Sequence, residues 1–394
     1  MRLLPRRRTG PPRPTPETTM RITTALPGLA LVAVAALGAG PAHAAPAGPA
    51  CGDTLTVDTV LTADLTCADG VGLRLGPGVT LDLDGHVLRG GSLRQTGVVV
   101  PAGGDVTITD GVITFWGAAV ADHVYDGAPD VAAPGPLGGT VHLDRVVVRD
   151  GIYGVRTVAH EDGSATTVDV DRSTFSLVNA PLWIDGGALV LHRSTLRDNS
   201  SAVVLRGGRA TITRSVLRSN DGAVNVSEGG SAVVRSTAFL GNAAAVETWS
   251  GGSADVRRSE IRDSTTAVRL NAGSGSTVVT DVSITGGSRG IQAEGGTLVV
   301  ERVHLADHTD ESVVLFAPPA GQAASARIVG STFHDGGDGV VSAWGAGLSL
   351  GGSTATANAG WGVHAPGAVD LGGNAAGGNG LEPQCVGVVC AAAP

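Results

Sequence analysis

Between Ala202 and Thr266 the chain writes one phrase three times: AVVLRGGRATITRSVLRSNDG, AVNVSEGGSAVVRSTAFLGNAA and AVETWSGGSADVRRSEIRDSTT. The shared pattern is A-V-x-apolar, Gly-Gly, an alternating strand, Arg-Ser and then apolar-x-x-Asn, returning every 21 or 22 residues. Within it Val203 and Leu205 face one side, Ile212 and Leu217 continue that inward set, and nothing recurs at helical spacing. A unit this short, made of strands and glycine turns, buries its apolar side only by stacking on copies of itself. That predicts a coil of a parallel β-helix. A leucine-rich repeat is the competing reading, because Leu196 and Leu217 each precede an Asn by three residues. Ser194 and Ser215 stand where that consensus wants leucine, and no part of the unit can be helical.

The phrase extends in both directions, with passes beginning near Gly97, Gly117, Gly151, Ala180, Ala202, Ala223, Ala245, Ala267, Gly290, Ser312, Gly339 and Gly362. Neighbouring coils stack at about 4.8 Å, so about twelve coils make a rod roughly 55–60 Å long. Composition agrees: of 394 residues 60 are Gly, 42% are hydrophobic and only 3% aromatic, which suits a thin core of Val, Ala, Leu and Ile. All 27 basic residues are arginine, so lysine chemistry is excluded.

Residues 20–45 carry Arg21, an apolar run from Leu26 to Leu37, and small residues at Ala42 and Ala44, the pattern of a secretory signal peptide over residues 1–44 with Met20 as the natural start. A twin-arginine signal using Arg6–Arg8 is the alternative. Removing residues 1–44 takes away six of the 27 basic residues and one of the 36 acids, leaving 21 against 35, a net charge of −14. That balance speaks against nucleic acid as a partner. Nothing after Ala45 is long and apolar enough to span a membrane, so the expectation is a secreted, extracellular, monomeric rod: one domain over 45–394, with repeats over 91–380 and a C-terminal cap over 381–394. Cys51 and Cys67 lie near one end of it and Cys385 and Cys390 at the other, as suits an oxidising compartment; sequential pairing would pin both end caps. Zinc is the other reading of four cysteines, but opposite ends of a rod cannot share an ion.

The opening Cys-Gly, the D-L-x-C at Asp64–Cys67 and the V-T-L-D-L-D-G-H-x-L-x-G at Val79–Gly90 resemble the first coils of secreted right-handed parallel β-helix proteins of the pectin-lyase-like superfamily. The later passes resemble that family's repeat, so the resemblance covers nearly all of the mature chain, with 51–90 as N-terminal cap and first coils. It implies an all-β, right-handed, single-stranded solenoid. Its functional implication is broad, since the superfamily holds lyases, glycoside hydrolases, epimerases and non-catalytic binders. The G-H-G and R-I-K patterns of its pectin-cleaving hydrolases and the D-P-H of its alginate-epimerase branch are absent from this sequence, so no catalytic residue carries over.

Stacking turns each repeat position into a column. One outward column reads Ala119, Tyr153, Trp183, Val204, Asn225, Glu247, Arg269, Gln292, Val314 and Val341; a second contains Asp185, Arg206, Ser227, Trp249, Asn271, Glu294 and Phe316. Together they make Trp183, Glu247, Trp249, Arg269, Asn271, Gln292 and Glu294 candidates for binding an extended sugar chain, rings stacking on aromatics and hydroxyls meeting amides and carboxylates. An ordinary solvated face is the alternative. Three passes are stretched, at Asp122–Gly139, Thr157–Ser164 and Ala317–Ala324, and the first two loops leave the rod one coil apart. There Asp126, Glu161 and Asp162 are candidate Ca²⁺ ligands, and Tyr153, Arg156 and His160 are candidates for abstracting a proton beside a uronate carboxyl. Glycoside hydrolysis by two of the carboxylates, or plain solubilising loops, are the other readings of this pair.

A third column is arginine: Arg145, Arg172, Arg193, Arg214, Arg235, Arg258 and Arg302, interrupted by Asp281. It can bind an anionic polymer or pair with nearby acids. Asn199, Asn220 and Asn242, with Asn179 and Asn358 in similar places, read as a buried ladder of turn amides. The function expected is binding or modification of an acidic extracellular polysaccharide, by a lyase or epimerase if catalytic; the alternative is a non-catalytic adhesive rod.

Overall fold

The computed structural model describes residues 48–100, 103–125, 139–159, 165–316 and 323–393. The candidate signal peptide and most of each of the three stretched loops, with Asp126, His160, Glu161 and Asp162 among them, lie outside the described residues.

From Gly48 onward the chain is one compact unit. It is an all-β parallel solenoid of about 14 turns with no helix among the described residues. A turn holds three short strands; the seventh comprises Ser201–Arg206, Arg209–Thr213 and Val216–Arg218. Each pairs in parallel with its counterpart in the turns above and below, as Val203 does with Leu182 and Val224. The repeat count of about twelve began at Gly97. Two further turns precede it, because Thr54–Cys67 and Leu73–Gly90 are stacked strands of the same kind. Disulfides join Cys51, just before the first strand, to Cys67, and Cys385 to Cys390, each near an end of the stack.

The interior is made of columns. The third-strand column runs Phe175, Leu196, Leu217, Phe239, Ile261, Ile284, Leu305 and Phe333, all buried. Burying such side chains is worth roughly 1.5–3 kcal/mol each, which is why an alternating sequence with few aromatics suffices. Near the N-terminal end Trp116 fills the lumen, its Nε1 donating to the carbonyl of Leu88. Only glycine fits at Gly90, where an added Cβ would stand 2.8 Å from that indole.

Two corners set the turn shape, and both use a residue at positive φ followed by a buried polar one. At the first corner Arg145, Arg172, Arg193, Arg214, Ser236, Arg258, Asp281 and Arg302 take φ between 48 and 56°. The next residue in many turns is a buried Ser or Thr, bridging to the adjacent turn as Ser173 does to Ser194 and Ser194 to Ser215. This accounts for the recurrent Arg-Ser pair. Arg235 does not belong to the corner, since it pairs with Thr213 and Arg257 inside the second strand and Ser236 takes the corner place.

At the second corner Asp198, Ser219 and Gly241 take positive φ, and Asn199, Asn220 and Asn242 follow. Asn199 Nδ2 donates to Asn220 Oδ1 at 2.9 Å and Asn220 Nδ2 to Asn242 Oδ1 at 3.0 Å. The ladder resumes at Asn358 and Asn379. Asn179 is not a rung: it is exposed, and the backbone N–H of Val178 instead donates to Asn199.

Candidate functional site

The first strands of successive turns form one continuous outer face. Inward residues such as Val203, Val224, Val246 and Val268 leave the alternate positions outside, and these read Arg156, Trp183, Val204, Asn225, Glu247, Arg269 and Gln292 in hydrogen-bonded register. Tyr153 is not in this column. It pairs with Ala118 and Ala180, three residues upstream, and Arg156 takes the place beside Trp183. The slip has a physical cause: Gly139–Arg156 is one strand running through two corners, and Gly151, in register with Val178, stands at the second corner after Asp150 and not at the start of the outward stretch.

Side-chain size along the face makes a groove. Two turns place Val204, Asn225 and Ser227 low on this face where their neighbours contribute Trp183, Glu247 and Trp249, and the dip has a volume of about 490 Å³. Its floor is buried, Asn225 at 5% and Ser227 at 4% exposure. Three turns, about 14 Å at the usual strand spacing, separate the two tryptophans. Arg206 closes one side: its guanidinium stands over the Trp183 ring at 5.8 Å and donates to Glu228 at 2.9 and 3.0 Å, with Asp185 at 3.5 Å.

Beyond Trp249 the polar residues are joined in a chain with ends left over. Asn271 donates to Glu247 at 2.8 Å, and Gln292 donates to Glu294 at 2.8 Å. The nearest carboxylate to Arg269 is Glu247 at 3.6 Å, too long for a hydrogen bond. Arg269 Nε and Gln292 Oε1 are buried without a hydrogen-bond partner. Of the candidate sugar-binding residues, then, Trp183, Glu247 and Trp249 line the groove, and Arg269, Asn271, Gln292 and Glu294 continue it over the next two turns. Arg206, Asn225, Ser227 and Glu228 were not among those candidates. The signal for them was small residues between large ones in the outward columns.

At the other end of the groove, Tyr125, Tyr153 and Trp183 form an edge-to-face stack with ring centroids 5.6 and 5.7 Å apart. The Arg156 guanidinium lies 5.1 Å from the Tyr125 ring and 4.6 Å from that of Tyr153, and the residue is only 2% exposed. Tyr153 and Arg156 are therefore brought together, with Tyr153 the more open of the two. Asp122, also buried, accepts from the backbone N–H of Val158 and the hydroxyl of Thr166 and contacts His123. These bonds tie together the strand ends from which both stretched loops depart. Among the described residues no group of three His, Cys, Asp or Glu could hold a metal ion.

Most of the corner arginines are spent on carboxylates. Arg172 donates to Asp144 at 2.9 and 2.7 Å, Arg193 to Asp171 at 3.0 and 2.6 Å, and Arg302 to Asp281 at 2.6 and 3.2 Å. Arg145 does the same to Asp110, and the bond holds that carboxyl down to about 2. Arg214 and Arg258 have no such partner among the described residues.

No protein-family model and no curated protein matches the chain. Among solved structures it is similar to the A-module of the Azotobacter vinelandii mannuronan C-5 epimerase AlgE6, at 17% identity over 87% of this chain and 92% of that one, with a TM-score of 0.41. A superposition that loose leaves the reading of the site to this chain's own residues.

Proposed function

We propose that the protein is a secreted β-solenoid that binds an acidic extracellular polysaccharide along its first-strand face. The observation that carries this is the groove between Trp183 and Trp249 with open polar groups along it. Sugar rings stack on the two indoles, the Asn225 amide on the floor meets hydroxyls, and a uronate carboxylate reaches Arg269, whose Nε is buried without a partner. Arg206, already held by Glu228 and Asp185, shapes the wall instead. Secretion rests on the pattern of residues 1–44 and on the two disulfides.

Catalysis of the lyase or epimerase type places Tyr153 at the Trp183 end of the groove, with Arg156 positioning its ring; His160 and the Ca²⁺ ligands Asp126, Glu161 and Asp162 complete that proposal. A second reading, an adhesive rod, draws on the unpaired Arg214 and Arg258 at the first corner.

The test is retention of the mature protein on immobilised acidic and neutral polysaccharides, with Ca²⁺ or with a chelator, while ultraviolet absorbance from unsaturated uronide ends is followed. Trp249→Ala should lower affinity about tenfold, equivalent to about 1.4 kcal/mol, without lowering the thermal midpoint. Arg269→Gln should remove the preference for acidic over neutral chains. Retention untouched by both substitutions would overturn the groove reading, and its loss in an Arg214→Gln, Arg258→Gln double variant would favour the rod. An absorbance rise that the chelator abolishes would add the lyase activity.

A further inference from the structure

On the third-strand face, and not on the first-strand face that carries the groove, two imidazoles meet. His304 lies in the strand His304–Ala306 and His334 at the end of Thr332–His334 on the next turn. Their Nε2 atoms are 3.1 Å apart, with ring centroids at 4.5 Å and planes inclined by 48°. Two nitrogens bound to one ion at 2.0–2.1 Å stand about 3.3 Å apart in tetrahedral and about 2.9 Å apart in octahedral geometry. The observed separation falls between these.

The outer nitrogens fix what the inner ones can do. His334 Nδ1 lies 2.7 Å from the Asp335 carboxylate, which only accepts, so Nδ1 carries the proton and Nε2 keeps a lone pair. His304 Nδ1 lies 2.9 Å from the Thr332 hydroxyl, which can either accept or donate. When the hydroxyl donates, His304 holds its proton on Nε2 and shares it with His334. When it accepts, both Nε2 lone pairs face each other, and only a cation between them relieves the repulsion. A carboxylate behind one imidazole is also the arrangement that orients and strengthens a metal-ligating histidine.

We propose that His304 and His334 form a two-imidazole site for a borderline divalent transition ion such as Zn²⁺, Ni²⁺ or Cu²⁺, with water in the remaining positions. Imidazole prefers these ions to Ca²⁺ or Mg²⁺. Both side chains are partly open to solvent, so an ion has a path in, and the site is independent of the polysaccharide reading.

The test is calorimetric titration of the full chain, carrying no affinity tag, with ZnCl₂ and separately NiCl₂ in a non-chelating buffer. One ion per chain is expected. His304→Gln and His334→Gln should each lower affinity by at least about tenfold, and Asp335→Asn by about tenfold through loss of the orienting carboxylate. Far-UV circular dichroism and the metal-free thermal midpoint should not move, because both rings lie on the outer face. The double variant keeps eight of the ten histidines of the sequence and so controls for binding elsewhere. Absence of heat in the parent protein, or affinity unchanged in the double variant, would overturn the assignment and leave a hydrogen-bonded imidazole pair.

Discussion

Asn220 and Asn225 are the same residue five positions apart, both buried, at 2% and 5% exposure. Asn220 sits at the second corner and is fully engaged: it donates to Asn242 and the carbonyl of Leu196 and accepts from Asn199. Asn225 sits on the groove floor and makes no side-chain hydrogen bond among the described residues, its amide facing the cavity. A buried amide normally has partners. Where the partners are the same residue one turn away, the amide belongs to the architecture; where they are missing and a cavity takes their place, the amide is open to the groove, as the proposed binding requires. Uniform columns hold this solenoid together and uneven columns give it a surface with chemistry.

The sharpest way to break that contrast is to truncate both. Asn220→Ala leaves the buried Asn199 N–H without its acceptor, takes from the Asn199 amide the shorter of its two bonds and removes the donor to the Leu196 carbonyl, and should cost about 3 kcal/mol in urea unfolding. Asn225→Ala should change stability by less than about 0.5 kcal/mol and instead weaken polysaccharide retention. Equal losses of stability would erase the distinction.

The ladder also contains a place where the amide is replaced. Between Asn242 and Asn358 its column passes through Ser264, Gly287, His308 and Gly336, and His308 is buried with its Nε2 unpartnered. Burial lowers its pKa from the ordinary 6.5 to about 4. The folded protein therefore keeps the ring neutral while the unfolded chain takes up a proton below 6.5. The stability tied to that difference is fully present above about pH 6.5 and is lost as pH falls towards 4, by about 3 kcal/mol for this group. Urea midpoints for the parent and His308→Asn at pH 7.5 and 4.5 isolate it, since the carboxylates common to both cancel. The variant should lose less on acidification; equal losses would mean that His308 is not neutral in the fold.

The fold was legible because its determinants repeat. Pitch, inward alternation and the Asn rungs each occur in several copies, and an error in one pass is corrected by the next. Tyr153 falls out of its expected column where that redundancy fails, in the strand Gly139–Arg156 that runs unbroken through two corners. Arg235 and Asn179 were drawn into columns by residue type, although the backbone hydrogen bonds put Ser236 and Val178 at those places. The groove was harder to see for the opposite reason. Val204 and Ser227 are ordinary residues, and they define a cavity only through the larger side chains one and two turns away, which no single pass of the sequence displays. Arg156 is a candidate by type and spacing, which cannot report that two tyrosine rings lie against it.

The smallest expected effect lies at the first corner, which looks uniform but carries its charge outside. Arg193 donates twice to Asp171, yet its side chain is 51% exposed, so water and salt compete for both groups. Arg193→Gln should cost less than about 1 kcal/mol at low ionic strength, and the difference should shrink as salt is raised. Arg214 has no such partner, so Arg214→Gln should show neither the cost nor the salt dependence. A large, salt-insensitive loss for Arg193→Gln would instead mean that the guanidinium is needed to hold the corner at positive φ, as the amides hold the other corner, and the division between uniform and uneven columns would have to be redrawn around it.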